Sequence, residues 1–174
     1  MTSKLKKRNP ATEAIQARNR QRRIGIDLRA VELFAVALLE SLHLTGRMFD
    51  VVFVGAPAMR RLNRDWRKKD YATDVLSFAY DGELVDGKPF LGEIVIAPEV
   101  AVRQAVRYGV EPEKEIRKLL VHGVLHLMGY DHEADNGDME RMQNRILRRR
   151  FFTTQPPSTL LTPLSPPSPQ ERSR

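Results

Sequence analysis

Three of the four histidines in this chain, His122, His126 and His132, lie within eleven residues at a spacing that suits a metal ion. The first two are four residues apart, so on a helix both imidazoles leave the same face, one turn apart. Gly129 can adopt the left-handed conformation that ends a helix, and the chain can then turn His132 back to the same point. Three neutral imidazoles with one position left for water are typical of a catalytic zinc site.

Two further observations bear on this assignment. The chain contains no cysteine, the usual ligand of a structural zinc site closed by four side chains. The alternative is a buried helix with satisfied core histidines, but the spacing and the glycine that follows favour a metal. His43 is the contrast, because it stands alone between Leu42 and Leu44. We interpret His43 as structural, or as a charge at a helix C-terminus.

The same histidine spacing occurs in metzincin proteases, in which Glu directly follows the first histidine and serves as the general base. Gly123 occupies that position here and carries no base. Peptide hydrolysis by that route is therefore disfavoured, while metal binding stays intact. Because a glycine inside a helix costs about 1 kcal/mol relative to alanine, either the backbone approaches another element closely at Gly123 or a side chain there would obstruct the site.

The charge of the chain favours a polyanionic partner. Lysine and arginine number 29 against 22 aspartates and glutamates, a net charge of +7. The basic residues cluster in an N-terminal arm, in residues 60–69 and in residues 145–150, although each cluster could equally be a solvated surface. Trp66 and Tyr71 flank the second cluster and either stack on nucleic-acid bases or pack against the protein.

The pattern of apolar residues predicts the elements that position the histidines. We expect helices at 27–42, 58–63, 98–108, 111–128 and 138–151, with Asp27 as a cap and prolines at three of the starts. Strands are expected at about 12–18, 49–55, 74–80 and 91–97, a loop at 65–73, and a hairpin turn at Asp86 and Gly87. Because strands and helices do not alternate regularly, the prediction is an α+β fold, with about five helices packed on a mixed sheet of about four strands and the zinc site on one helix.

The composition divides the chain into three parts. Residues 1–10 form a basic arm predicted to be disordered, residues 11–152 a single metal-hydrolase-like catalytic domain, and residues 153–174 a disordered tail rich in proline and serine. No apolar run is long enough to span a membrane, so no membrane partner is expected. The lack of a secretory signal and of cysteine predicts a cytoplasmic protein.

The segment from His122 to His132 resembles the signature of the YbeY family of bacterial metal-dependent endoribonucleases. The resemblance extends to residues 62–78 and 91–97, so three ordered blocks cover roughly residues 12–150. It implies a four-stranded sheet with about five helices, one divalent metal assigned as zinc, and cleavage of single-stranded RNA. It also implies a role in ribosomal RNA maturation, mainly at the 3′ end of the small-subunit RNA, and in ribosome quality control, with the ribosome or its small subunit as partner.

The resemblance also implies roles for individual residues. His122, His126 and His132 match the metal ligands, and Arg67 matches the basic residue that the family places at the active-site groove. The proline-rich tail and the long basic arm depart from the family core, but neither interrupts the motifs.

Phosphodiester cleavage suits these residues better than peptide cleavage, because RNA brings its own 2′-hydroxyl nucleophile and depends less on a protein base. Whether this hydroxyl or water attacks stays open. Zinc with an open position polarises a phosphoryl oxygen, and the planar guanidinium of Arg67 can clamp a phosphate bidentately.

Neighbouring residues receive supporting roles. Arg64, Lys68 and Lys69 are assigned to RNA binding. Asp131 either orients an imidazole or caps the turn after the helix. Asp70, Thr73 and Asp74 are expected to structure the loop that faces the metal.

Two other functions stay open at this point. One is a zinc metalloprotease, which Gly123 disfavours. The other is a non-catalytic, ribosome-associated RNA-binding factor in which the metal only braces the fold. In the second case, removing the metal would unfold the protein in proportion to the activity lost.

Overall fold

A mixed β-sheet with helices on both faces forms the described part of the chain, residues 14–131, 136–149 and 159–162 of a computed structural model. In chain order its elements are β1 (Ile15–Asn19), β2 (Gly25–Ile26), α1 (Leu28–Ser41), β3 (Met48–Phe53), α2 (Ala56–Arg67), β4 (Val75–Ala79), β5 (Leu84–Val85), β6 (Lys88–Ile96), α3 (Pro98–Arg107), α4 (Pro112–Leu127), α5 (Asp138–Leu147) and β7 (Leu161–Thr162). No helix among the described residues is long and apolar enough to cross a membrane.

The strands of the main sheet lie in the order β1, β3, β6, β4. The first three are parallel, and β4 runs antiparallel to β6. The short strand β5 joins β6 through a hairpin at Asp86 and Gly87, which both have positive φ. Positive φ at both central residues is the signature of a tight turn that matches the twist of the strands, so the predicted hairpin is confirmed.

The central strand β3 is buried on both faces and separates two hydrophobic clusters. Phe49, Val51 and Phe53 face the larger cluster, which contains residues of α1, α4 and α5. Val52 faces a smaller cluster that includes Met59 of α2. This alternation follows from the two-residue period of a strand, and it places α4 against one face of β6 and β4.

The α+β prediction with a mixed sheet of about four strands is confirmed, as are five helices within the described residues. Asp27 caps α1 as expected, because its carboxylate accepts a hydrogen bond from the Ala30 N–H at 3.0 Å. His43 ends α1 in the left-handed conformation, with φ of +58°. Its N–H donates to the Glu40 carbonyl, and the Leu44 N–H donates to Leu39, so His43 has a structural role.

Two predicted helix ends are wrong. We expected a loop from residue 65, whereas α2 continues to Arg67, and α5 ends at Leu147 rather than at 151. Only Met59 and Asn63 of α2 are buried, so most of the helix is polar, and its composition resembles that of a loop. Lys68 then ends α2 with φ of +58°.

Part of the tail is ordered, so the prediction of a disordered segment at 153–174 is wrong for the four residues 159–162. Strand β7 pairs antiparallel with β2, and the Asp27 N–H donates to the Leu160 carbonyl. Leu160 is fully buried. Two leucines in this segment supply the apolar surface that its proline-rich neighbours lack. The rest of the tail and the basic arm at 1–10 lie outside the described residues, so those boundaries stay predictions.

A carboxylate on α4 fastens this strand to the domain. The N–H groups of Leu160 and Leu161 donate to the Glu113 carboxylate at 3.0–3.1 Å. The Arg117 side chain, which is 7% exposed, donates to the same carboxylate at 2.7 and 3.1 Å and lies over the Phe34 ring. Glu113 therefore neutralises a buried cation and satisfies two backbone donors at once.

We predict that Glu113→Gln lowers the free energy of unfolding by about 3–5 kcal/mol, because the amide leaves the Arg117 charge buried without a counter-charge. Urea denaturation measures this change. Glu111→Gln is the matched control, since Glu111 pairs with the exposed Lys114 and an exposed pair contributes about 0–1 kcal/mol. Equal losses in the two variants would contradict the role of Glu113.

Candidate active site

Helix α4 brings two of the predicted metal ligands together. The Nε2 atoms of His122 and His126 lie 3.1 Å apart, and both side chains are partly exposed. The separation of four residues produces this geometry, because it places both rings on one face of the helix. His132 lies outside the described residues, so its role as the third ligand stays a prediction.

The other ring nitrogen of each histidine meets an oxygen atom. His126 Nδ1 lies 2.9 Å from the backbone carbonyl of Tyr130, and His122 Nδ1 lies 3.1 Å from Oε1 of Gln143. Carbonyl oxygens only accept hydrogen bonds, so each Nδ1 carries the proton. In this tautomer the two Nε2 atoms face each other.

Two lone pairs at 3.1 Å repel unless a cation lies between them, either a metal ion or a proton shared by the rings. Zinc–nitrogen bonds of 2.0–2.1 Å at a tetrahedral angle would place two ligand nitrogens about 3.3 Å apart. The separation and the tautomers of this pair therefore fit a zinc ion.

The turn after α4 orients His126. Gly129 has φ of +91°, as predicted for the residue that ends the helix. The Gly129 N–H donates to the His126 carbonyl and the Tyr130 N–H to Leu125, the pair of bonds typical of a Schellman motif. This turn carries the Tyr130 carbonyl back to His126 Nδ1. Asp131 follows it and is exposed, and both alternatives for Asp131 stay open.

Gln143 is a site residue that the sequence reasoning missed. It belongs to α5, where it is 7% exposed and shares a buried stripe with Met139 and Ile146. A glutamine on an otherwise apolar stripe needs a hydrogen-bond partner, so its position was a usable signal. Its partner on another helix was not readable from spacing along the chain.

The two histidines open into a cleft of about 250 Å³ that also receives Arg67 and Lys69. The structure thus brings Arg67, at the end of α2, to the same cleft as the histidines. Arg64 and Lys68 do not line the cleft, and both contact Asp65 on the surface of α2. The remaining lining residues are Asn63, Tyr71, Thr73, Asp74, Val75, Leu76 and Ser77.

Hydrogen bonds fix the loop between α2 and β4, as predicted for Asp70, Thr73 and Asp74. The Arg60 guanidinium donates to both carboxylate oxygens of Asp70 at 2.9 and 2.7 Å, which lowers the pKa of Asp70 below its usual value. Asp74 Oδ1 accepts hydrogen bonds from the Val75 N–H and the Thr73 hydroxyl. The loop therefore holds Lys69 and Tyr71 at the cleft.

A buried asparagine, also missed by the sequence reasoning, completes this loop. Asn63 is 1% exposed, and its side-chain amide donates to the Tyr71 carbonyl at 2.8 Å. Tyr71 lines the cleft and is 56% exposed, whereas Trp66 lies outside the cleft and makes an edge contact with Phe78. Trp66 is thus partly packed, and base stacking stays a prediction for both aromatic residues.

Gly123 allows α4 to lie close to the sheet. A Cβ atom at this position would lie 2.7 Å from Cγ2 and 2.8 Å from Cδ1 of Ile94 on β6. The close approach of the backbone, one of the two explanations offered above, accounts for this glycine. On the neighbouring strand β4, the buried Ser77 hydroxyl has no hydrogen-bond partner among the described residues, so the floor of the cleft retains an unused polar group.

Comparison with known proteins identifies the family. The sequence model described as Endoribonuclease YbeY matches residues 16–150. This chain belongs to the YbeY family.

Individual members of the YbeY family support the match over most of the chain. Endoribonuclease YbeY of Solibacter usitatus (strain Ellin6076) is 47% identical over 116 residues, which cover 67% of this chain and 74% of that protein. Endoribonuclease YbeY of Nautilia profundicola is 38% identical over 128 residues, which cover 72% and 90% of the two chains. The solution structure of TM1509 from Thermotoga maritima shares the fold, with a TM-score of 0.56 and 26% identity over 79% of this chain and 89% of that chain.

We predict that Gly123→Ala lowers the free energy of unfolding by about 1–3 kcal/mol through overpacking against Ile94, although alanine is the better helix former. Urea denaturation of both single variants and of Gly123→Ala/Ile94→Ala forms a double-mutant cycle. Because truncating Ile94 makes room for the new methyl group, the double variant should be more stable than the sum of the single changes predicts. Simple additivity would exclude the close contact as the reason for the glycine.

Proposed function

We propose that this chain cleaves single-stranded RNA at the cleft formed by His122, His126 and Arg67, with one zinc ion held by His122, His126 and His132. Membership of the YbeY family makes the chain an endoribonuclease, and the family is in general metal-dependent. The observation that carries the proposal is the convergence of two histidine Nε2 atoms, 3.1 Å apart, in a cleft that also receives an arginine and a lysine. We further propose that the substrate is ribosomal RNA near the 3′ end of the small-subunit RNA, in ribosome maturation and quality control in the cytoplasm.

Hydrogen bonds to Nδ1 orient the two histidines for a metal. With the Tyr130 carbonyl and the Gln143 side chain accepting from Nδ1, the Nε2 atom of each imidazole would be the one that binds the metal. A zinc ion bound there supplies a Lewis acid for a phosphoryl oxygen and lowers the pKa of a bound water.

Arg67 and Lys69 supply positive charge for the phosphate. The Arg67 guanidinium can hold two phosphate oxygens at once and stabilise the charge that accumulates on them during cleavage. Lys69 adds a compact charge at the same cleft. Arg67 is the last residue of α2, and Asn63 fixes the loop that carries Lys69, so hydrogen-bonded structure positions both cations.

The cleft suits RNA cleavage better than a protease reaction. Among its described lining residues the acidic one is Asp74, and its Oδ1 already accepts two hydrogen bonds from the loop. Gly123 meets Ile94 of the sheet rather than the substrate side of the cleft. The described lining residues therefore include no glutamate that could act as a general base of the metzincin kind, whereas RNA supplies a hydroxyl nucleophile of its own.

The test is cleavage of a single-stranded RNA that spans the 3′ end of small-subunit RNA. We predict that His126→Ala abolishes cleavage, and that Arg67→Ala lowers kcat/KM about 100-fold because it removes one charge-stabilising group. Arg61→Ala is the matched control, since Arg61 lies on the same helix and is exposed outside the cleft.

Identical purification and circular dichroism of every variant control for contaminating ribonuclease and for unfolding. Cleavage by all variants at one rate would refute the site. RNA binding by a wild-type protein that does not cleave would favour the non-catalytic factor with a bracing metal. In that case, the fraction of protein that unfolds on zinc removal should match the fraction of function that is lost.

We predict that Gln143→Leu weakens zinc binding about 10- to 100-fold, because His122 loses the acceptor that fixes its tautomer. Competition with a chromogenic chelator measures the affinity without reference to activity. Gln143→Glu is the control, since it retains an acceptor at this position and should keep the affinity. Equal binding by the leucine variant and the wild type would show that Gln143 does not orient the ligand.

A further inference from the structure

Helix α5 carries a second basic surface away from the cleft. Arg141 and Arg145 lie on α5, and Arg148 and Arg149 directly follow its last residue. The four are separated by intervals of four, three and one residues, so on a continued helical path they share one face. Together with Asn144 they line a groove of about 560 Å³. No acidic residue lines this groove among the described residues. The opposite stripe of α5, with Met139, Gln143 and Ile146, is buried against the domain.

Two of these arginines form hydrogen bonds within the described part of the protein, and two do not. Arg141 donates to Asp138 and to the Asn136 carbonyl, and Arg149 donates to the Ser41 carbonyl at the end of α1. Arg145 and Arg148 are exposed and make no hydrogen bond or ion pair within the described part of the chain. The held arginines therefore border a groove in which two cations remain available to a ligand.

The spacing of these arginines places like charges next to each other, which destabilises the helix. Arg145 lies four residues from both Arg141 and Arg149 and three from Arg148, and like charges at these spacings repel across a helix surface. A solvated helix face usually mixes the two signs of charge. A polyanion placed in the groove would relieve this repulsion, which argues for a phosphate backbone as its occupant.

The groove is continuous with a second groove that reaches Tyr130, at the turn after α4. A neighbouring groove of about 300 Å³ is lined by Tyr130, Asp138, Arg141, Met142 and Arg145, and so shares two arginines with the first. The carbonyl of Tyr130 accepts the hydrogen bond from His126 Nδ1. Tyr130 thus lies next to both the second groove and a predicted metal ligand. From Arg141 to Arg149 the arginines span about 12 Å along α5 and the turn that follows it, at 1.5 Å per residue.

We infer that the arginine groove on α5 binds the phosphate backbone of the RNA strand whose cleaved phosphate lies at the histidine cleft. This inference rests on the proposed function, because it takes RNA as the substrate. Arg145 and Arg148 contact phosphates, while Arg141 and Arg149 set the width and charge of the groove. Since phosphate contacts carry no base information, the groove adds affinity for long single strands without adding sequence preference.

The experiment compares Arg145→Gln/Arg148→Gln with Arg22→Gln/Arg103→Gln, which removes the same charge from exposed sites outside the grooves. Fluorescence anisotropy gives the Kd for a full-length 2′-O-methyl RNA strand, which keeps every phosphate, between about 50 and 200 mM salt. Cleavage is measured in parallel on the matching unmodified strand and on a short strand that fills only the cleft. Thermal unfolding of each full-length variant verifies its fold.

The groove variant should lower the slope of log Kd against log salt by about 1.4, because each lost contact with a single strand contributes about 0.7. It should raise KM for the long strand, leave kcat unchanged and leave cleavage of the short strand unaffected. The control variant should retain the wild-type slope.

An unchanged salt slope in the groove variant would overturn the inference. If that variant instead lost binding to polyglutamate while RNA binding stayed intact, the groove would serve an acidic protein, which also overturns it. A wild-type protein that binds with a groove-dependent slope but cuts no RNA would support the groove and refute the proposed nuclease function. The two proposals therefore fail in different measurements.

Discussion

The distance between helix α4 and the sheet is the constraint on which the site depends. Ile94 of β6 occupies the space where any residue other than glycine at position 123 would place its Cβ atom. The two histidines lie on either side of this contact along the helix, so the depth at which α4 packs sets where their rings emerge. A helix farther from the sheet would move both Nε2 atoms away from the cleft that Arg67 and Lys69 enter.

Other contacts also fix the position of α4. Glu113, near the start of α4, binds Arg117 and the ordered tail strand, and the turn at Gly129 closes the other end of the helix. Between these ends, α4 contributes a nearly continuous set of buried residues to the larger core. The two histidines therefore belong to one of the most extensively buried helices. A well-packed helix suits side chains that must keep a fixed geometry to bind a metal.

Local rules of sequence predicted much of this structure. The histidine spacing, the left-handed Gly129, the Asp27 cap and the Asp86–Gly87 turn each depend on a few neighbouring residues, and each appears as expected. What spacing could not supply was contact between distant segments. Gln143 meets His122 across 21 residues, and Leu160 meets Glu113 across 47. The length of α2 was missed for a related reason, because a helix that buries only two side chains has almost no apolar signal.

Helix α5 has two faces with different surroundings. Its buried stripe presents Gln143 to His122, and its exposed stripe presents the arginines of the groove. An RNA strand bound as inferred would contact the arginine face of α5 and leave the Gln143 face in place, so the groove would add affinity without changing the reacting centre. Phosphate contacts remote from the scissile bond would then lower KM for strands long enough to reach these arginines and leave the chemical step unchanged.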